Sequence, residues 1–401
     1  MSRPVYITGY GVISAIGVNS EENFNSLSKG ETGISRVDFI DTIHRDEIFV
    51  GEIKMSTDDL KSLAALNQVE SNSRGAILSM IAAKEAISHA ELSPEDLKNC
   101  ALISGTSVGG MELFEQGYAS FKEGSISNPR KYFIEHDCGN INSKLATELG
   151  IKGHLSTIST ACSSSANAIL LGARLIKGGF VDVAIVGGSD ALSKFTINGF
   201  KSLGILDENH SSPFDRNRKG LNLGEGAAYI VLESADRCKD KTVHAEIIGY
   251  GNANDAFHQT ASSAEGIGAK LAMRQSLSMA EMESHHIDYI NTHGTGTDNN
   301  DLSESISMQD IFGEDSVPRF NSFKPYTGHT LAACGAIEAV YSIFSLKNKI
   351  LFPSLNFKEA IPDSGLTPIQ HVLKNQPIHT VLSNSFGFGG NCTSLIFTSK
   401  I

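Results

Sequence analysis

The chain has 401 residues, of which 40% are hydrophobic, and carries a formal net charge of −12 from 33 Lys and Arg against 45 Asp and Glu. That length, with apolar residues spread evenly along it, can fill a large core as one big domain or two fused halves. The negative balance repels phosphate backbones, and no run of Lys and Arg makes a nucleic-acid stripe, so nucleic acid is not an expected partner.

The N-terminal MSRPVYITGYGVISAIG reads as a strand entering a Gly turn, with no apolar core of a signal peptide, and no stretch approaches membrane-spanning length. Cys100, Cys138, Cys162, Cys238, Cys334 and Cys392 stand far apart with no CxxC pair, which argues against a zinc site or disulfide framework and for a reducing cytoplasm. Residues 154–177 come next. β-Branched Thr157, Ile158 and Thr160 predict a strand, and the spacing of Ala166, Ile169, Leu170 and Ala173 predicts a helix directly after it. Cys162 falls at the turn between them. Unpaired N–H groups and the positive end of the helix dipole there favour thiolate, so the spacing predicts a lowered thiol pKa and an oxyanion-binding turn. The plain alternative is a small buried cysteine.

Apolar, β-rich runs at 181–186 and 229–232 follow, and residues 253–268, rich in Ala, Ser, Gly and Asn, are the expected junction between halves. The strand, Gly turn, helix grammar of 154–177 recurs in 287–312 and again in 320–347, which suggests an internal duplication. We divide the chain at 1–250 and 251–401 on that basis. Two histidines sit in Gly and Thr loops that no core packing requires: His293 in NTHGTGT and His329 in KPYTGHT. His329 precedes an apolar helix expected over 331–346, whose dipole disfavours protonation, so a neutral imidazole able to stabilise an enolate oxygen is expected. Taken singly, each histidine also reads as an ordinary hydrogen-bonded loop residue. Asp301 and Glu304 form a D-x-x-E pattern that by itself is a capping box; alternatively Glu304 and Lys324 pair behind the histidines. A final strand at 381–383 leads into the Gly-rich SFGFGG.

TACSSS around Cys162, SPFDRNRKGLNLGEGAA at 212–228, NTHGTGT around His293, KPYTGHTLAACGAIE around Lys324 and His329, and NSFGFGGN around Phe388 together resemble the β-ketoacyl-acyl carrier protein synthases, the elongating type with a Cys-His-His site. Ordered motifs over nearly the whole chain are far more specific than any one of them. The resemblance implies an α/β, thiolase-like, five-layered αβαβα fold built from two duplicated halves. It implies that Cys162 accepts an acyl group from a carrier-protein thioester and that His293 and His329 bind a malonyl thioester carbonyl for decarboxylative condensation, with Lys324 as electrostatic support, Glu304 nearby, and no cofactor or metal. The N–H groups of Cys162 and Phe388 would hold the oxyanion, and Gly387 and Gly389 would let Phe388 gate access to the cysteine. Phe114 matches the far end of the family's acyl pocket, where its bulk implies short or rigid acyl chains. Arg130 and Lys131, and Arg74 as a further candidate, match positions that receive an acidic acyl carrier protein. The implied assembly is a homodimer, or a heterodimer with a second ketosynthase-like subunit.

Two departures stand out. Asn391 and Cys392 replace the family's usual Thr-Asn after GFGG, and Lys219 replaces its usual acid before Gly220. Competing readings are a degradative thiolase, with Cys392 as the one candidate second cysteine, and a non-catalytic chain-length-setting partner subunit, against which Cys162 itself argues.

Overall fold

The computed structural model describes residues 3–66, 72–126 and 128–399. Ten strands dominate it: β1 Val5–Ser14, β2 Ala101–Gly105, β3 Leu155–Ile158, β4 Val183–Asp190, β5 Gly226–Ser234, β6 Ala245–Asn254, β7 Tyr289–Asn291, β8 Arg319–Asn321, β9 Thr380–Phe386 and β10 Asn391–Thr398. They pair in the order β8-β7-β9-β10-β6-β1-β5-β4-β2-β3. Read from either end, that order repeats one pattern. β2 is parallel to β3 and β4, and β7 is parallel to β8 and β9; then β5 and β1, like β10 and β6, follow antiparallel. Among the described residues, the strand pairing between the two five-stranded halves is Tyr6↔Glu246 and Ile7↔Ala245.

Strands such as β5 (GAAYIVLES) are buried along their whole length, because helices cover both faces; a sheet covered on both sides selects near-continuous apolar runs instead of alternation. Helix α1 (Arg74–His89) packs on β1 and β5. Its approach needs Gly11, where a Cβ would lie 2.1 Å from the Ala82 carbonyl oxygen. On the other half α3 (Ile267–Met279) packs on β6 and β10, with α4 (Asp298–Phe312) beside it. Between the halves run α2 (Ser164–Lys177) and α5 (Cys334–Asn348), which touch each other and strands of both halves. The layers are therefore helix, sheet, helix, sheet, helix, the thiolase-like arrangement the motifs imply. One core cluster fills the centre, and one lies under each outer helix layer.

The duplication is more regular than the sequence suggests. Residues 320–347 do repeat 154–177, as β8–α5 and β3–α2, but 287–312 repeats the earlier β2 segment and its helix Cys138–Leu149 instead. The predicted helix over 331–346 begins as a 3-10 turn, Leu331–Ala333, before α5. The expected junction at 253–268 overlaps the end of β6, which itself runs across residue 250. Among the described residues no helix is long and apolar enough to cross a membrane.

Candidate active site

Cys162 sits between β3 and α2, and Ala161 before it adopts a left-handed φ of +52°. A non-glycine residue in that region stores strain that the surroundings must hold. Here Ser164 Oγ accepts from Thr160 N at 2.9 Å and donates to the Ala161 carbonyl at 2.6 Å, while Ser163 Oγ lies 2.8 Å from the Thr160 carbonyl. The serines of TACSSS thus pin the turn that presents the thiol. The second half repeats the same turn, with Leu331 also at φ +52° and Ala332 where Cys162 stands. At that copy the exposed N–H is occupied: Ala332 N donates to Asp190 Oδ2 at 2.9 Å. The duplicated turn therefore binds an oxyanion in one copy, an internal carboxylate, and carries the thiol in the other.

His329 is held by the short sheet Ser35–Arg36, Phe49–Gly51 and Leu223–Gly224, next to which its N–H donates to the Asn222 carbonyl at 2.7 Å and its carbonyl accepts from Gly224 N at 3.0 Å. This places His329 Nε2 3.1 Å from Cys162 Sγ. His293 follows β7, and its ring lies 5.4 Å from that of His329 at 84°. One donor atom each from Cys162, His293 and His329 lie within 4.8 Å of one another. The trio has the donors for a metal, but Lys324 Nζ stands 3.4 Å from His293 Nδ1 and works against a cation there.

Behind the trio the ion pair differs from the expectation. Lys324 Nζ pairs with Glu338 Oε1 at 2.7 Å, both nearly enclosed, and also donates to the His293 carbonyl. Glu304 instead accepts the N–H groups of His293 and Gly294, both at 2.9 Å, and the Asn384 amide at 3.2 Å. It positions the histidine loop and does not neutralise the lysine. The capping box fails too: α4 is preceded by Thr297 without a side-chain cap, and Asp301 turns inward to accept from Phe214 N at 2.7 Å. Sequence reasoning missed Glu338 and Asp190, although a lone acid in the otherwise apolar run of α5 was a readable signal.

These placements set protonation. Burial, then the charge of Lys324, pushes both His293 and His329 well below the usual imidazole range, so both are neutral. Burial leads the causes, ahead of any helix-terminus effect. Burial is the largest influence on Lys324 and opposes its charge, but the Glu338 carboxylate, with Cys334 and Glu304 adding to it, more than offsets burial and the ammonium is kept. An ammonium has only donors, so His293 Nδ1 must accept and the ring proton sits on Nε2. For Cys162 the predicted lowering is wrong. Burial lifts the thiol to about 11, against the pull of Lys324 and the Phe388 and Cys162 N–H groups. The turn's donors are real, but at 5% exposure desolvation wins.

Phe388 N–H reaches the Cys162 sulfur. Gly387 permits this, because a Cβ there would meet the Thr160 carbonyl at 2.7 Å. Gly389 and Gly390 both have φ of +81°, and the Phe388 ring stacks on Phe200 at 5.6 Å. Asn391 ties this loop to the helix of the cysteine: its carbonyl accepts Gly387 N at 2.8 Å, and its Oδ1 accepts from Ser163 Oγ at 2.7 Å and from Asn167 and Asn252 at 2.9 Å. A cavity of about 320 Å³ joins Cys162, His293, His329 and Phe388 to a mouth bearing Lys219 and Asp298. Cys392 borders it, but burial pushes its thiol far up, which ill suits a second thiolate base.

Three candidates are not brought to this cavity. Arg74 is interior, its guanidinium forked onto Glu225 at 2.9 and 2.7 Å, so it cannot meet a carrier protein. Phe114 is not among the residues that line this cavity; it packs with Phe133 and His136 at 5.3 and 4.8 Å. Arg130 is exposed on the short helix Arg130–Phe133, and the Lys131 side chain lies outside the described residues.

The chain matches the beta-ketoacyl synthase N-terminal domain over residues 2–237 and the C-terminal domain over 244–358. It belongs to the β-ketoacyl synthase family. The members are condensing acyltransferases. A 3-oxoacyl-[acyl-carrier-protein] synthase 2 of Staphylococcus aureus (strain N315) is 30% identical over an alignment of 409 positions that covers 99% of this chain and 98% of that protein. The ishigamide ketosynthase/chain length factor superposes with a TM-score of 0.92 at 30% identity, covering all of both chains. A ketosynthase in complex with its chain length factor from Xenorhabdus doucetiae gives 0.82 at 32% identity, over 99% of this chain and 98% of that one.

Proposed function

We propose that this β-ketoacyl synthase carries an acyl group on Cys162 and condenses it with the enolate left when a malonyl thioester loses CO₂. The observation that carries the reading is the enclosed trio, with His329 Nε2 3.1 Å from the thiol and both imidazoles neutral. With the thiol lifted to about 11, attack needs a base in contact, and His329 Nε2 takes the proton as sulfur bonds to the acyl carbonyl. The N–H groups of Cys162 and Phe388 hold the oxyanion. Collapse expels the carrier thiolate, which leaves with the proton that His329 held. A malonyl thioester then enters; its carboxylate C–C bond breaks, CO₂ departs, and the electron pair becomes an enolate whose oxygen accepts from His293 Nε2–H. The enolate carbon bonds to the acyl carbonyl, the bond to Cys162 breaks, and a proton from solvent restores the thiol.

Residues 1–250 thus supply the nucleophile, and 251–401 the histidines, Lys324 and the Phe388 loop. Acyl- and malonyl-loaded acyl carrier protein is the proposed partner, with Arg130 and Lys131 as the contacts, no membrane insertion, and a cytoplasmic setting that suits six free cysteines. The likeness to ketosynthase/chain length factor structures, and the exposed apolar Leu155 on edge strand β3, support a dimer with itself or with a second ketosynthase-like subunit. Intact-protein mass after mixing with acyl-carrier thioesters tests the reading. An acyl adduct that requires Cys162, and that malonyl carrier protein converts to a longer β-ketoacyl product, is expected. No adduct with any acyl length would favour the non-catalytic partner subunit.

A further inference from the structure

A second cavity, of about 380 Å³, opens where the segment entering β6, the C-terminal end of α5 and the segment entering β9 meet. Its polar lining is Thr242, His244, Lys347, Lys349, His379 and Ser399. On a chain of net charge −12, no carboxylate among the described residues lines it. Among the described residues neither lysine has an acidic partner: Lys347 Nζ donates to Tyr10 Oη at 3.3 Å, and Lys349 Nζ to the Ile378 carbonyl at 2.5 Å. Lys349 is also the cap of α5 at φ +53°, a left-handed position where glycine is the unstrained choice. The side chain kept there lines the cavity.

His244 is the second, independent observation. It is 8% exposed, and its Nε2 is buried without a hydrogen-bond partner among the described residues. The ring is fixed from behind by the Thr8 backbone, by Tyr10 at 5.0 Å and by His89 at 4.4 Å. His244 lines the cavity, and a buried polar atom without a partner beside a roomy basic cavity is expected to gain one when a ligand binds there. We propose that this cavity binds a small doubly charged oxyanion, free sulfate or a phosphate group free or on a small ester, held by Lys347, Lys349 and a protonated His244, with the Thr242 and Ser399 hydroxyls as further donors.

The proton matters because the Thr8 carbonyl takes one ring N–H, so the neutral ring offers only a lone pair at Nε2. Binding therefore takes up a proton. The groups that face His244 are Thr8 and Tyr10 from β1, Glu85 and His89 from α1, Lys347 and Lys349 from the end of α5, and His379, whose N–H is held by Asp288. Burial, then His89 and Lys347, holds His244 at about 4 when no anion is present. A bound dianion raises that value, so affinity is greatest below about 4, falls as pH rises from there, and has lost its proton-linked part once pH passes the raised value.

Calorimetric titration of the full chain with sodium sulfate tests this, with sodium chloride at matched ionic strength as the screening control. Sulfate keeps its charge across the range used, so any pH dependence belongs to the protein. The expected result is saturable one-site binding whose association constant falls up to about tenfold per pH unit between about pH 5 and 7, with about one proton taken up. His244→Gln should flatten that dependence, and Lys347→Met should weaken binding at least about tenfold. Competition by glycerol 3-phosphate assigns an ester ligand, and its exclusion assigns the free ion. Sulfate acting no differently from chloride, or binding unchanged in both variants, overturns the proposal.

Discussion

Replacing Glu338 by Leu isolates what its pair with Lys324 does. The two charges are 2.7 Å apart at 2% and 3% side-chain exposure. Their gross attraction is about 6 kcal/mol at an effective dielectric of about 20, comparable to the cost of burying both ions. The pair therefore adds little beyond what apolar residues would, but removing one partner strands the other. Glu338→Leu leaves Lys324 with only the His293 carbonyl and its ring nitrogen, and should cost about 3–5 kcal/mol in denaturant unfolding. Lys324→Met with Glu338→Leu should recover stability to within about 1–2 kcal/mol of the native chain. It should not recover chemistry. Without the ammonium at 3.4 Å nothing fixes His293 Nδ1 as acceptor, and malonyl decarboxylation should fall roughly 10²-fold. A single variant within about 1 kcal/mol of the native chain, or a double variant decarboxylating at the native rate, refutes the reasoning.

Glu112→Gln should stabilise the protein at pH 8 and not at pH 5. Its carboxyl is enclosed, with Oε2 unpartnered, and burial raises it to about 7, so its ionisation opposes folding as pH rises from its unfolded value through 7, by up to about 3 kcal/mol; urea midpoints at the two pH values check this. Alkylation of Cys162 by iodoacetamide, followed by mass, should climb steadily with pH through 9, because the thiol titrates at about 11; a plateau near 7 would mean a resident thiolate. Asn391→Ala removes the acceptor of three donors and should slow acylation of Cys162 while costing about 1–3 kcal/mol in unfolding; unchanged acylation would show that the loop keeps its place unaided.

What the sequence made legible and what it hid follow from distance and burial. Cys162, His293, His329 and Lys324 each sit in a short run whose glycines, serines and threonines serve the local backbone, so the run itself signals the site. Arg74 gave no such signal: its partner Glu225 is 151 residues away, and an arginine destined for the interior looks like one for the surface. Glu304 and Glu338 are both reachable from Lys324 in sequence, and only the packing of α5 on β5 and β9 decides between them. The dipole argument for Cys162 named the correct donors and the wrong sign, because burial is a property of the assembled layers. The duplication showed in 320–347, where strand and helix are adjacent, and was misassigned at 287–312, whose counterpart has a long excursion between β2 and its helix.

In the proposed reaction His329 serves acylation of Cys162, and His293 acts afterwards, on the malonyl group. The most direct measurement is release of CO₂ from malonyl carrier protein by enzyme already acylated at Cys162, native chain against His293→Ala. The account predicts one CO₂ per adduct consumed by the native enzyme, and an acyl adduct that persists with little CO₂ in the variant. Equal CO₂ release and adduct loss in the two would contradict it.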